Sequence, residues 1–202
     1  KDNKYDIVHS NMNALSFFTL KAAKNAGINR RIAHSHSTSY KGETLRNLIK
    51  FVLKRLSLIY PTRLFACSKS AGIWLFGEKK WLDGQITIIP NAIDLDRFKF
   101  NEHDRNMIRA KFGIKKNTFV LGTIGRLVTQ KNPFFSIKVF FEYQKLNPNS
   151  VFLFVGEGIL QKKLKKMANK YGILNKIIFA GAQQNTEHFY SAMDVFVFPS
   201  LY

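Results

Sequence analysis

The chain has 202 residues and carries 32 Lys and Arg against 13 Asp and Glu, a net charge of +19 spread over both halves with no separate basic tail. At 46% hydrophobic composition it can fill a real core, and its single cysteine, Cys67, excludes a disulfide framework and fits a reducing compartment. No apolar run nears the roughly 20 residues that span a bilayer, so any membrane contact is peripheral, while the basic surface keeps nucleic acid, anionic lipid and phosphorylated small molecules in play.

Short runs rich in Ile, Val and Phe alternate with longer helical patterns. The runs lack the polar–apolar alternation of a half-exposed strand, so they predict parallel strands covered on both faces. In the first half the predicted strands are Tyr5 to His9, Arg31 to His36, Arg63 to Cys67 and Gln85 to Pro90, with helices over Ala14 to Asn25, Thr44 to Tyr60 and Ser70 to Phe76. Cys67, at the end of one such strand, reads as a small buried hydrophobe rather than a nucleophile. The polar stretch from Asn91 to Phe98 breaks the rhythm and places a domain junction near residues 97 to 100, dividing the chain into 1–98 and 99–202.

Beyond it a charged helix, His103 to Phe112, leads into strands over Phe119 to Gly125, Val151 to Gly156, Lys176 to Gly181 and Val195 to Pro199. Helices are predicted over Pro133 to Leu146, Ile159 to Tyr171 and Thr186 to Met193. Asn132-Pro133 opens the first of these, Asn as cap and Pro in the first turn, and Asn147-Pro148 closes it. Repeated strand–helix–strand units make the fold class α/β, two doubly wound parallel sheets. The start at Lys1 without Met and the stop at Tyr202, just after an apolar strand, read as an internal piece of a longer protein.

In such sheets ligands sit beyond the carboxyl ends of the strands, so the residues that follow each strand carry the functional signal. Leu121 to Pro133 ends a strand with glycines and places Arg126 and Lys131 in the loop beyond. A guanidinium fork and a mobile ammonium suit a diphosphate, although solvated surface cations have the same spacing. Val155-Gly156-Glu157-Gly158 follows the next strand, where glycine permits close backbone approach or simply makes a turn. Gly122-Thr-Ile-Gly125 fails to match the dinucleotide fingerprint, which needs a third glycine as well as an acidic residue about 20 positions later, so no nicotinamide cofactor is expected.

His34-Ser-His36 ends the second strand and His9-Ser-Asn11 the first, collecting polar groups toward one edge. His34 and His36 are expected on opposite faces of their strand, one of them merely packed. Asp94-Leu-Asp96 has a metal-chelating spacing but sits in the junction, where Asp as turn former is the plainer reading, and with one Cys a zinc site is a poor fit. No metal is expected. The 44–60 helix has an apolar stripe and a basic face with Arg46, Lys50 and Lys54. Either it lies on an anionic membrane or it packs on the sheet with its cations solvated. The lysines of the Ile159 to Tyr171 helix read as a solvated face.

Six segments together carry a resemblance: Ile32 to His36, Ala66 to Ser70, Ile88 to Phe98, Gly125 to Asn132, Phe154 to Gly158 and Val195 to Ser200. The chain resembles the retaining glycosyltransferases of family 4, of capsular or exopolysaccharide type, over nearly its whole length. The resemblance implies the GT-B architecture, two Rossmann-like domains facing across a cleft and both incomplete here, with an acceptor domain over 1–98 and a nucleotide-sugar domain over 99–202. It implies transfer of a sugar from a nucleotide-diphosphate donor to a glycan or lipid-linked acceptor, with retention and without metal or cofactor. Arg126 and Lys131 match the diphosphate-binding pair, His36 the strand-end histidine that contacts the donor sugar, and Gly125, Gly156 and Glu157 positions beside the donor. The family's two carboxylates after the Phe-Pro-Ser turn lie past Tyr202, so the 202-residue chain is expected to be inactive or nearly so. The protein is expected in the bacterial cytoplasm at the inner face of the plasma membrane. A basic nucleic-acid-binding module is the alternative, and aromatics confined to strands, such as Phe152, Phe154, Phe196 and Phe198, argue against it.

Overall fold

The computed structural model describes residues 4–36 and 53–201. The predicted helix over Thr44 to Tyr60 lies mostly outside them; within it, residues 53–56 are helical. Contacts divide the chain into two compact units, 1–93 and 94–202.

In the first unit four parallel strands lie in chain order: β1 (Ile7–Ser10), β2 (Arg30–Ser35), β3 (Arg63–Ala66) and β4 (Ile86–Ile88). Helix α1 (Ser16–Asn25) follows β1, and α2 (Lys69–Phe76) follows β3, capped by the Ser68 hydroxyl, which accepts from the Ala71 amide. A short α3 (Glu78–Leu82) continues after Gly77; five residues are too few for a readable period, and the sequence does not announce it. Leu20, Ala33, Ala66, Leu75, Phe76 and Ile86 form the core. Cys67 stands just past β3 and is only half-buried.

The second unit opens with α4 (Glu102–Lys111), capped by Asn101, and its sheet runs β7 (Ile177–Phe179), β6 (Ser150–Val155), β5 (Phe119–Ile124), β8 (Val195–Phe196), all parallel. Alternation along β6 explains its unbroken apolar run. Phe152 and Phe154 meet Ile137, Phe140, Leu164 and Ala168 of α5 (Pro133–Leu146) and α6 (Gln161–Lys170) on one face. Leu153 and Val155 meet Ile108 of α4 and Phe189 and Ala192 of α7 (Thr186–Ala192) on the other. Both faces are covered, so both parities of the strand must be hydrophobic. At roughly 1.5–3 kcal/mol for each fully buried large side chain, this is the dominant favourable contribution to the unit's folding.

Two local expectations need correction. Asn132 occupies the cap position of α5, but its side chain makes no capping bond; it sits in the left-handed region at φ 49°, and Pro133 alone presets the first turn. β8 is only two residues long at a sheet edge, so Phe196 within it is 38% exposed and Phe198, beyond its end, is 64% exposed.

Candidate functional site

In the second unit the loops after β5 and β6 are joined backbone to backbone. The Gly125 amide donates to the Val155 carbonyl at 2.8 Å, the Gly156 amide to Gly181 at 2.7 Å, and the Leu127 amide to Glu157 at 2.9 Å. A Cβ on Gly156 would overlap the Gly125 carbonyl, and one on Gly158 the Leu127 carbonyl. Gly125 and Gly156 hold φ values of 149° and 127°, which side chains rarely adopt. The result is a sheet edge walled by peptide groups.

Arg126 projects from this edge, exposed, and among the described residues its guanidinium meets no carboxylate. Lys131, in a short 3-10 turn, lays its stem across Gly125 and sets its ammonium 5.0 Å from the centre of the Phe198 ring. Among the described residues neither cation has a carboxylate partner, and the two form a positive edge suited to an anion. Leu201 donates its amide to the Gln130 carbonyl at 2.9 Å, tying the segment after β8 to the same loop. The carboxylate of Glu157 accepts from the Ala182 amide at 3.3 Å, which turns it toward the loop after β7. The Phe198 contact joins residues far apart in sequence and is missed by motif reading.

In the first unit the expectation that His34 and His36 face opposite ways is wrong. Residues two apart on a strand share a face, and their rings lie 4.0 Å apart. His9 completes a stack of three: its Nε2 is 3.0 Å from His34 Nδ1. His34 is 5% exposed, and burial first, then the neighbouring His36 and His9, hold its pKa below the usual 6.5. Among the described residues its Nε2 has no hydrogen-bond partner. His36 is set by three asparagines that end other strands or follow them. Asn13 Oδ1 accepts from its backbone amide at 2.9 Å, Asn11 Oδ1 lies 2.8 Å from its Nε2, and Asn91 Oδ1 lies 3.3 Å from its Nδ1. Of these the sequence flags only Asn11; the signal shared by all three is a polar residue just beyond a strand's carboxyl end.

Asp94 is a turn former. Its Oδ1 accepts from the amides of Asp96 and Arg97, and Asp96 pairs with Lys99 at 2.5 Å. Among the described residues no cluster of His, Cys, Asp and Glu has metal-site geometry, and no helix is long and apolar enough to cross a membrane.

Residues 1–97 match the model of glycosyltransferase family 4, and residues 104–202 that of glycosyl transferases group 1. The chain is 29% identical over its whole length to the putative glycosyltransferase EpsF of Bacillus subtilis, covering 53% of that protein. It is 30% identical to the Escherichia coli UDP-Gal:alpha-D-GlcNAc-diphosphoundecaprenol alpha-1,3-galactosyltransferase, covering 100% of this chain and 54% of that one. Thus it spans about half the length of these relatives. Among solved structures, Anabaena HepE in complex with UDP-glucose superposes over 97% of this chain and 53% of its own, with a TM-score of 0.78 at 21% identity. The fold, two Rossmann-like parallel-sheet units, is that of GT-B glycosyltransferases.

Proposed function

The chain belongs to the family 4 and group 1 glycosyltransferases, and from that premise we propose that its second unit holds the diphosphate of a nucleotide sugar against Arg126 and Lys131. The observation that carries this reading is the pair of cations that, among the described residues, have no carboxylate partner at a glycine-walled sheet edge. Each cation about 4 Å from a phosphate charge contributes on the order of 4 kcal/mol at an effective dielectric near 20, before desolvation. That charge stabilises a departing diphosphate as the bond to the sugar breaks, the part a divalent ion plays elsewhere. Asp94 and Asp96 are engaged in their own turn, so the donor chemistry proposed is metal-independent.

In this reading residues 99–202 bind the donor and residues 1–98 the acceptor. Gly125 and Gly156 admit the donor to the backbone, Glu157 braces the wall through Ala182, and His36, fixed by Asn11, Asn13 and Asn91, addresses the sugar. Transfer with retention, the leaving diphosphate taking the acceptor proton, requires no protein nucleophile. The acceptor class is a glycan or lipid-linked glycan, supported by the Escherichia coli relative, whose name specifies a diphosphoundecaprenol-linked substrate. The basic pattern of 44–60 supports work at the cytoplasmic face of a bacterial membrane.

Calorimetric titration of the chain with UDP-glucose, GDP-mannose and a single-stranded oligonucleotide tests the proposal. Nucleotide-sugar binding is expected. Oligonucleotide binding that falls steeply with salt, without nucleotide-sugar binding, supports the basic nucleic-acid module instead.

A further inference from the structure

Buried His34 lies between His9, exposed on β1, and His36, half-buried at the end of its own strand. The His9 and His34 rings are nearly parallel, at 10°, and the 3.0 Å between His9 Nε2 and His34 Nδ1 is a hydrogen bond. Phe65 of β3 meets both rings edge-on at 5.8 and 6.0 Å, an uncharged neighbour on that side. The titratable groups acting on His34 are His36 and His9.

A hydrogen bond between two imidazoles needs one proton and one lone pair, and His34 can supply either. With its proton on Nδ1 it donates to His9, and the buried Nε2 is left as a bare lone pair. With its proton on Nε2 it accepts from His9 and buries an N–H that, among the described residues, has nothing to donate to. A buried donor without an acceptor is the rarer defect in proteins, so the network selects the Nδ1–H form.

His36 has the opposite surroundings. Its Nε2 stands 2.8 Å from Asn11 Oδ1 and its Nδ1 3.3 Å from Asn91 Oδ1. Amide oxygens only accept, so both contacts are satisfied together when His36 carries both protons. Its ring centre lies 4.0 Å from that of His34, where a second imidazolium is repelled and a neutral ring is not.

We propose that His9 and His34 are positioning residues for His36: His9 keeps the His34 proton on Nδ1, and the neutral ring so fixed leaves the charge of the row on His36, between Asn11 and Asn91. The row thus builds a cation into the carboxyl edge of the first sheet. What that cation serves rests on the transferase reading, in which the first unit offers it to a nucleotide sugar and a ligand oxygen replaces the longer bond, to Asn91. The proton arrangement itself does not depend on that reading.

Long-range proton–nitrogen correlation spectra of the histidine rings, recorded on the 202-residue chain without nucleotide, test the proposal. At about pH 7 His34 is expected to show a protonated Nδ1 and a bare Nε2, and as pH falls His36 takes up its second proton before His34 does. His9→Phe keeps a ring at an exposed position but removes the acceptor. The His34 tautomer ratio is then expected to fall from about tenfold or more in favour of Nδ1–H to within about threefold of unity. His9→Gln, whose side-chain oxygen again accepts, restores the ratio, whereas a role in packing alone predicts the better rescue from Phe. Tryptophan fluorescence melting verifies that both variants fold. An Nε2–H tautomer of His34 in the parent chain, His34 protonated ahead of His36, or a ratio indifferent to His9→Phe overturns the proposal. Because no nucleotide sugar enters the measurement, failure to bind one counts against the transferase reading and leaves this result standing.

Discussion

Gly156 lies so close to Gly125 that no side chain fits between them; the Cβ of an alanine at 156 would stand 2.2 Å from the carbonyl oxygen of Gly125. At φ 127° the backbone is also one that a side chain strains. Gly156→Ala is therefore predicted to cost about 3 kcal/mol or more, strain and overlap together. Gly172 is the control. It has φ 70° but nothing within 4 Å of a Cβ, so Gly172→Ala loses only about 1–2 kcal/mol. Urea unfolding followed by circular dichroism measures both, and equal losses refute the packing argument.

The cation pair makes a separable prediction. Arg126→Ala and Lys131→Ala are each expected to weaken UDP binding about 10- to 100-fold, the range for a lost charge-assisted hydrogen bond, with little effect on stability because neither side chain is buried. Calorimetry that shows unchanged affinity in both variants removes the assignment.

At the opposite end of the second sheet, Asp194 accepts from Arg105 at 2.5 Å, from Arg109 at 2.8 Å and from the Val120 amide at 2.8 Å. Arg109 is 3% exposed and also donates to the carbonyls of Ala192, Lys116 and Thr118. Burial pushes the Asp194 carboxyl up, but the Val120 amide and the two guanidinium groups outweigh it and hold the pKa below the ordinary 3.8. Its contribution to stability is therefore in full force above about pH 4 and is lost as pH falls through the lowered value. Asp194→Ala, which leaves Arg109 buried without its carboxylate, is predicted to cost about 3–5 kcal/mol at pH 7. The loss should shrink in acid, as urea titrations at pH 7 and pH 3 would reveal.

His34 predicts the converse ion in the first unit. Because its folded pKa lies below the usual 6.5, the neutral ring is the folded form. The stability it permits is complete above about pH 6.5 and declines as pH falls below it, when the unfolded chain takes up the proton first. Both tryptophans, Trp74 and Trp81, lie in this unit, so their fluorescence reports its unfolding. The parent chain should lose stability between pH 6.5 and pH 5, and His34→Leu should flatten that slope. An unchanged slope places the titration elsewhere.

Hydrophobic period made the doubly wound architecture legible, since β6 and its neighbours are buried on both faces and cannot afford polar residues. The same logic singled out Arg126, Lys131 and His36 as candidates, and the structure places them beyond the carboxyl ends of β5 and β2. What stayed hidden depends on distance or direction. The three-histidine stack needs β1 beside β2 in register, pairing His9 with Ile32, and sequence states no register. The Lys131–Phe198 contact joins two residues of the second unit that are far apart in sequence. Asn132 kept its expected position yet not its capping role, because a left-handed backbone directs the side chain elsewhere.

The amide bond from Leu201 to Gln130 couples two stretches that composition would assign to separate loops. Mechanically they form one leaf. A displacement of the Arg126–Lys131 turn must either carry the chain beyond β8 along or break that bond.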